Sequence, residues 1–167
     1  MKMENKLLNE KSDIHVKIGE VKIGRPGDIL KATLGSCVGI AFVWKKRNLF
    51  GLAHCLLPES EGIDFVLGAK YVNQAIPSLM ALLKIKKEDI NEIDVYFAGG
   101  GNMMSQLAKR NIDHVGTLNV EAAKKYLSLN GFNYKELDTG GEVGRQIFIN
   151  CSSGEVYVNR FDKIQAQ

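Results

Sequence analysis

Cys37 and His54 are residues whose types and spacing could supply a nucleophile and its base. Cys37 follows a small-residue turn, Gly35 and Ser36, and His54 sits in an apolar run, Leu49 to Leu57, that stops at Pro58. The thiolate is the reactive form of cysteine, and a neighbouring imidazole can take the thiol proton. Gly35 and Ser36 let the backbone come close to a substrate, and the Cys37 amide is a candidate oxyanion donor. Local chemistry alone leaves an equal alternative, a small core cysteine beside a hydrogen-bonded histidine.

Two β-length apolar runs must position this pair. Val38 to Trp44 and Leu49 to Leu57 flank the polar residues Lys45 to Asn48, the pattern of a hairpin. A turn centred between Lys45 and Lys46 sets Cys37 directly opposite His54. Opposed residues have Cβ atoms about 4.5–5.5 Å apart, within reach of a thiol–imidazole hydrogen bond. A slip of one position would send the two to opposite faces. Cys37 is also expected to be the one exposed, thiolate-rich cysteine, and so to react with iodoacetamide faster than Cys55 or Cys151.

The remaining chain supplies hairpins with helices between them. Residues 1–13 read as a polar appendage. Apolar positions 14, 16, 18, 21 and 23 around Gly19 and Glu20 suggest a first hairpin, and Ile29 to Leu34 a short strand delivering the chain to Cys37. Glu59 to Gly68 reads as a surface loop. Helical spacing runs from Lys70 to Leu83, with Pro77 expected to kink or interrupt it. Asn91 to Ala98 alternates as a strand. Gly99, Gly100 and Gly101 lack the phosphate-loop patterns and read as a tight strand exit packed near the cleft. Asn119 or Thr117 is expected to cap a helix running to Leu129, stopped by Asn130 and Gly131. Phe132 to Leu137 suggests a strand, and Val143 to Asn150 with Glu155 to Phe161 a third hairpin. Interspersed hairpins and helices favour an α+β fold over a doubly wound one.

Composition narrows the class. At 167 residues, with 45% hydrophobic and 25% charged residues, the chain reads as one globular domain. Its net charge of +3 comes from scattered Lys and Arg, which argues against a nucleic-acid stripe. No apolar run approaches a membrane span, and the first residues lack the apolar core of a secretory signal. Three cysteines, an odd number, fit a reduced cytoplasmic protein. Cys37, His54, Cys55, His114 and Cys151 show no metal-ligand clustering, so no metal is expected. Cys55 and Cys151 read as small core residues.

The ordered motifs resemble the CheD family of chemoreceptor glutamine deamidases. They are Gly35-Ser36-Cys37-Val38-Gly39; His54 seventeen residues after Cys37 within Gly51 to Pro58; Ile18 to Val21; Ala98 to Met104; Gly116 to Tyr126; and Asp138 to Arg145. The resemblance runs from about Ile14 to Phe161. It implies two packed mixed or antiparallel sheets flanked by helices, an α/β/β/α sandwich, with residues 14–167 as one deamidase-like domain. It implies a cytoplasmic protein that hydrolyses receptor glutamine side chains to glutamate, with Cys37 as nucleophile, His54 as general base and no cofactor. The implied partners are methyl-accepting chemoreceptors. The alternatives are a non-enzymatic partner of the CheY-phosphatase CheC and a receptor methylesterase. Some family members place a catalytic threonine six residues before the cysteine, where this chain has Lys31. Thr33 is therefore the candidate to orient His54, with a backbone carbonyl as the other option.

Overall fold

The computed structural model of the chain describes residues 12–62, 65–102 and 114–161. Residues 1–11, Ile63 and Asp64 of the expected loop, and Met103 and Met104 lie outside that set.

The strands are β1 (Ser12–His15), β2 (Val21–Gly24), β3 (Asp28–Leu34), β4 (Val38–Trp44), β5 (Leu49–Cys55), β6 (Asp94–Gly99), β7 (Tyr134–Thr139), β8 (Arg145–Asn150) and β9 (Glu155–Arg160). They form two mixed sheets, a four-stranded one ordered β1-β3-β8-β9 and a five-stranded one ordered β2-β5-β4-β6-β7. Every residue of β4 is buried, as its unbroken apolar run requires of a central strand covered on both faces. Two helices, α1 (Val72–Leu83) and α2 (Val115–Leu129), pack on one face of the five-stranded sheet. That interface is filled by Ile40, Phe42, Ala53, Leu79 and Leu127. The other face of the same sheet meets the four-stranded sheet through Leu30, Leu34, Ala41, Leu52, Ile147 and Ile149. The expected α+β class with two packed sheets is what the chain adopts, and β8 and β9 form the expected third hairpin.

Four local expectations are corrected. The first hairpin does not form: β1 pairs in parallel with β3, whereas β2 pairs with β5 in the other sheet. Alternation reports which face a residue takes and says nothing of which strand it joins. Ser12 and Asp13, expected in the appendage, pair with Asp28 and Ile29. The chain does not break at Pro77, because Val72, Ala75, Ile76, Leu79 and Leu83 hold one buried stripe across it. Finally, α2 begins at Val115, before either expected cap, so Asn119 lies inside the helix.

Candidate active site

The hairpin turn takes all four polar residues. Lys45–Arg47 form a single 3₁₀ turn and Asn48 closes it in the left-handed region at φ 52°, so Trp44 opposes Leu49. The register therefore sets Gly39, and not Cys37, opposite His54. A shift of two residues preserves the face. Cys37 lies just beyond the start of β4, diagonal to His54, a separation of about 7–8 Å between such positions. Cys37 packs with the residues between the sheets, and the alternation of β5 sends His54 to the same side as Phe50 and Leu52. Gly39 puts no side chain on that face.

His54 is clasped by the segment linking β1 to β2. The Glu20 carbonyl accepts from the His54 amide at 3.0 Å, and the Gly19 amide donates to the His54 carbonyl at 2.8 Å. The Val16 carbonyl sits 2.9 Å from His54 Nδ1. A carbonyl only accepts, so Nδ1 carries the proton and Nε2 presents its lone pair. Nε2 is buried and has no partner among the described residues. The expected thiol–imidazole hydrogen bond is thus not formed, a consequence of the diagonal register. Burial pushes the His54 pKa below its ordinary value of 6.5, partly offset by the Val16 carbonyl.

The orienting group is the Val16 carbonyl, and Thr33 does not orient His54. On β3, Leu30, Ala32 and Leu34 face the core, which leaves Lys31 and Thr33 on the outer face. The Thr33 hydroxyl accepts from Gln146 Nε2 at 3.1 Å, and Lys31 pairs with Asp13 at 3.4 Å. The chain crosses from one sheet to the other at Gly35–Cys37, so strand parity does not carry from Thr33 to Cys37.

Cys37 is 5% exposed, against none for Cys55 and Cys151. Burial raises its thiol pKa, with its own nearby amide as the opposing effect. The expectation of an exposed, thiolate-rich Cys37 is corrected: burial favours the neutral thiol and the neutral imidazole.

The backbone around Cys37 is pinned carbonyl by carbonyl. Gly35 O accepts from the Gly101 amide at 2.9 Å, and Cys37 O from the Gly100 amide at 2.8 Å. Ser36 O accepts from Asn119 Nδ2 at 3.0 Å. Among the described residues, no oxygen accepts from the amides of Ser36 or Cys37. Gly99 permits this approach: at φ 111°, a Cβ there would lie 2.2 Å from the Cys37 carbonyl oxygen. Behind the glycines stands Arg145, 1% exposed. Its Nε donates to Asp138 Oδ2 at 2.9 Å, Nη1 to the Gly99 carbonyl at 3.3 Å and the Val143 carbonyl at 3.4 Å, and Nη2 to the Gly140 carbonyl.

The family model for CheD chemotactic sensory transduction matches residues 56–160, more than half of the chain. The chain belongs to the CheD family. The match begins after Cys37 and His54, so longer relatives matter for that region. A CheD from Ruegeria sp., named a probable chemoreceptor glutamine deamidase, is 37% identical over 93% of this chain and 96% of its own. A CheD of the same description from Bdellovibrio bacteriovorus is 37% identical over 89% of this chain and 95% of its own. One from Methanococcus vannielii is 31% identical over 91% and 97%. Among solved structures, the Bacillus licheniformis hypothetical protein YfiH aligns with a TM-score of 0.44 at 16% identity. That alignment covers 70% of this chain and 49% of the YfiH chain. No helix among the described residues of this CheD chain is long and apolar enough to cross a membrane.

Sequence reasoning missed the roles of four residues in this CheD chain. The Val16 carbonyl leaves no side-chain signal. Asn119 carries one, since it falls on the buried stripe Gly116, Asn119, Ala123, Leu127. Asp138 and Arg145 stood out by resemblance alone, with no role attached.

Proposed function

We propose that this protein hydrolyses glutamine side chains of chemoreceptors to glutamate, with Cys37 as nucleophile and His54 as general base. The observation that carries the reading is the buried Nε2 of His54, unpartnered among the described residues, on the same interior face as the Cys37 thiol and beside amides that no described oxygen engages. The relatives' names supply the substrate class.

The steps balance without a further reagent. The thiol proton passes to His54 Nε2 as sulfur bonds to the amide carbon, and the oxygen takes the negative charge. The Cys37 and Ser36 amides face that charge. The imidazolium returns its proton to nitrogen, the C–N bond breaks and ammonia leaves a thioester. Water then attacks, giving a proton to His54; the C–S bond breaks, sulfur recovers that proton, and the carboxylic acid formed gives its own proton to solvent, leaving glutamate.

Mass spectrometry of a chemoreceptor cytoplasmic fragment incubated with the protein tests this. Glutamine-to-glutamate conversion at discrete sites is expected, and no conversion on any receptor of the same cell would sink the reading. Removal of a methyl ester with glutamine untouched would replace it with the esterase.

The pH profile follows from the neutral pair. His54 must be unprotonated to accept the thiol proton, so activity is lost as pH falls through its pKa, below 6.5. The raised thiol pKa moves any alkaline limb above 9.0, the ordinary thiol value. A kcat/KM profile should therefore be flat between those values; an acid limb centred above 6.5 would contradict the assignment.

A further inference from the structure

We infer that Asn119 is a positioning residue that aims the Cys37 amide at the developing oxyanion. This rests on the deamidase reading above. Asn119 is completely buried on the inner face of α2. Among the described residues, its two side-chain hydrogen bonds are both donated by Nδ2, to Ser36 O at 3.0 Å and to Leu56 O at 3.0 Å. Two carbonyls can only accept, which fixes the amide with nitrogen toward them. Its Oδ1 is left buried and unpartnered among the described residues, a costly state that a merely structural position would be expected to avoid.

The Ser36 carbonyl belongs to the same peptide unit as the Cys37 N–H. The unit is trans, so its C=O and N–H point in opposite directions. Holding Ser36 O toward α2 therefore holds the Cys37 N–H away from it, and donation to the carbonyl strengthens the N–H as a donor. The second bond ties this unit to Leu56, two residues beyond His54. One side chain thus spans the nucleophile's peptide and the strand of the base. The helix can come this close because Gly116 faces the Gly100 and Gly101 carbonyls, where a Cβ would lie 2.5 Å from either oxygen.

The test compares wild type with Asn119→Asp, Asn119→Leu and Asn119→Ser, and with Ala123→Gly as a control. Ala123 is buried on the same helix and gives no hydrogen bond to either carbonyl. Asn119→Asp and Asn119→Leu should lower kcat by about 10- to 100-fold, since a misaimed oxyanion donor is nearly a lost one. KM should move by less than about threefold, because the group acts in the transition state. Asn119→Ser keeps one donor and should fall between. The Cys37 amide proton resonance should shift in each Asn119 variant and stay put in Ala123→Gly, whose kcat should remain within about twofold. Folded Asn119 variants that keep kcat, or that lose it only as the control does at equal Tm, overturn the inference. So does an unchanged Cys37 amide resonance. If wild type converts no glutamine, the deamidase reading fails by itself, and the amide resonance still decides whether Asn119 orients that peptide. Should Asn119→Leu not fold, the isosteric Asn119→Asp carries the comparison.

Discussion

Cys37→Ala is expected to abolish glutamine deamidation, by at least about 10⁴-fold, because the atom that bonds to the amide carbon is gone. Stability should change little. The thiol is a small group at 5% exposure, and its loss costs on the order of 1 kcal/mol. Cys151→Ala is the matched control. Cys151 is fully buried and follows Asn150, at the end of β8 opposite Arg145, so its removal opens a comparable void away from the pinned loop. That variant should lose a similar amount of stability, on the order of 1 kcal/mol, and keep its rate. The measurement is conversion of a receptor fragment followed by mass spectrometry, with urea titration of each variant. Deamidation by Cys37→Ala at the wild-type rate would remove Cys37 from the mechanism.

Arg145→Met should destabilise the fold by about 3–5 kcal/mol, the cost of breaking a buried charge pair from one side. The guanidinium is 1% exposed, and its removal strips donors from the carbonyls of Gly99, Gly140 and Val143 together. Asp138 would keep only Arg160, which grips it at 2.7 Å and 2.6 Å. Arg160 lies at the surface, so Arg160→Met should cost about 1 kcal/mol or less. Urea denaturation of both variants separates them, and equal losses would show that burial is not what makes Arg145 matter. Arg160 and then Arg145 hold the Asp138 carboxyl well below the usual range, at about 2. A depressed carboxylate stabilises the fold above its unfolded pKa, and that contribution disappears as pH falls toward about 2.

The sequence showed the α+β class and the shared face of Cys37 and His54, because face is a matter of parity, and parity survives an error of two residues. Register was not legible. Lys45 to Asn48 could be divided between turn and strand in more than one way, and only the left-handed Asn48 settles it. Asn119 looked like a helix cap because asparagine favours that place, and the stripe that buries it becomes visible only once the helix start is known. Thr33 is the nearest threonine to Cys37 in the sequence, but the chain leaves one sheet for the other at Gly35 and Ser36, a break that spacing does not report. The thiol was expected to be charged because its neighbour is an imidazole; desolvation of both groups weighs more, and no spacing rule reports desolvation.

The connector from Val16 to Glu20 holds the histidine by ring, amide and carbonyl at once. Imidazole and main chain therefore move as one piece, and neither can be displaced alone. Because the two ends of that connector are anchored in different layers, the aim of the proton acceptor is inherited from the cohesion of the whole sandwich. Loosening one sheet against the other would blunt catalysis before any residue of the cleft had changed.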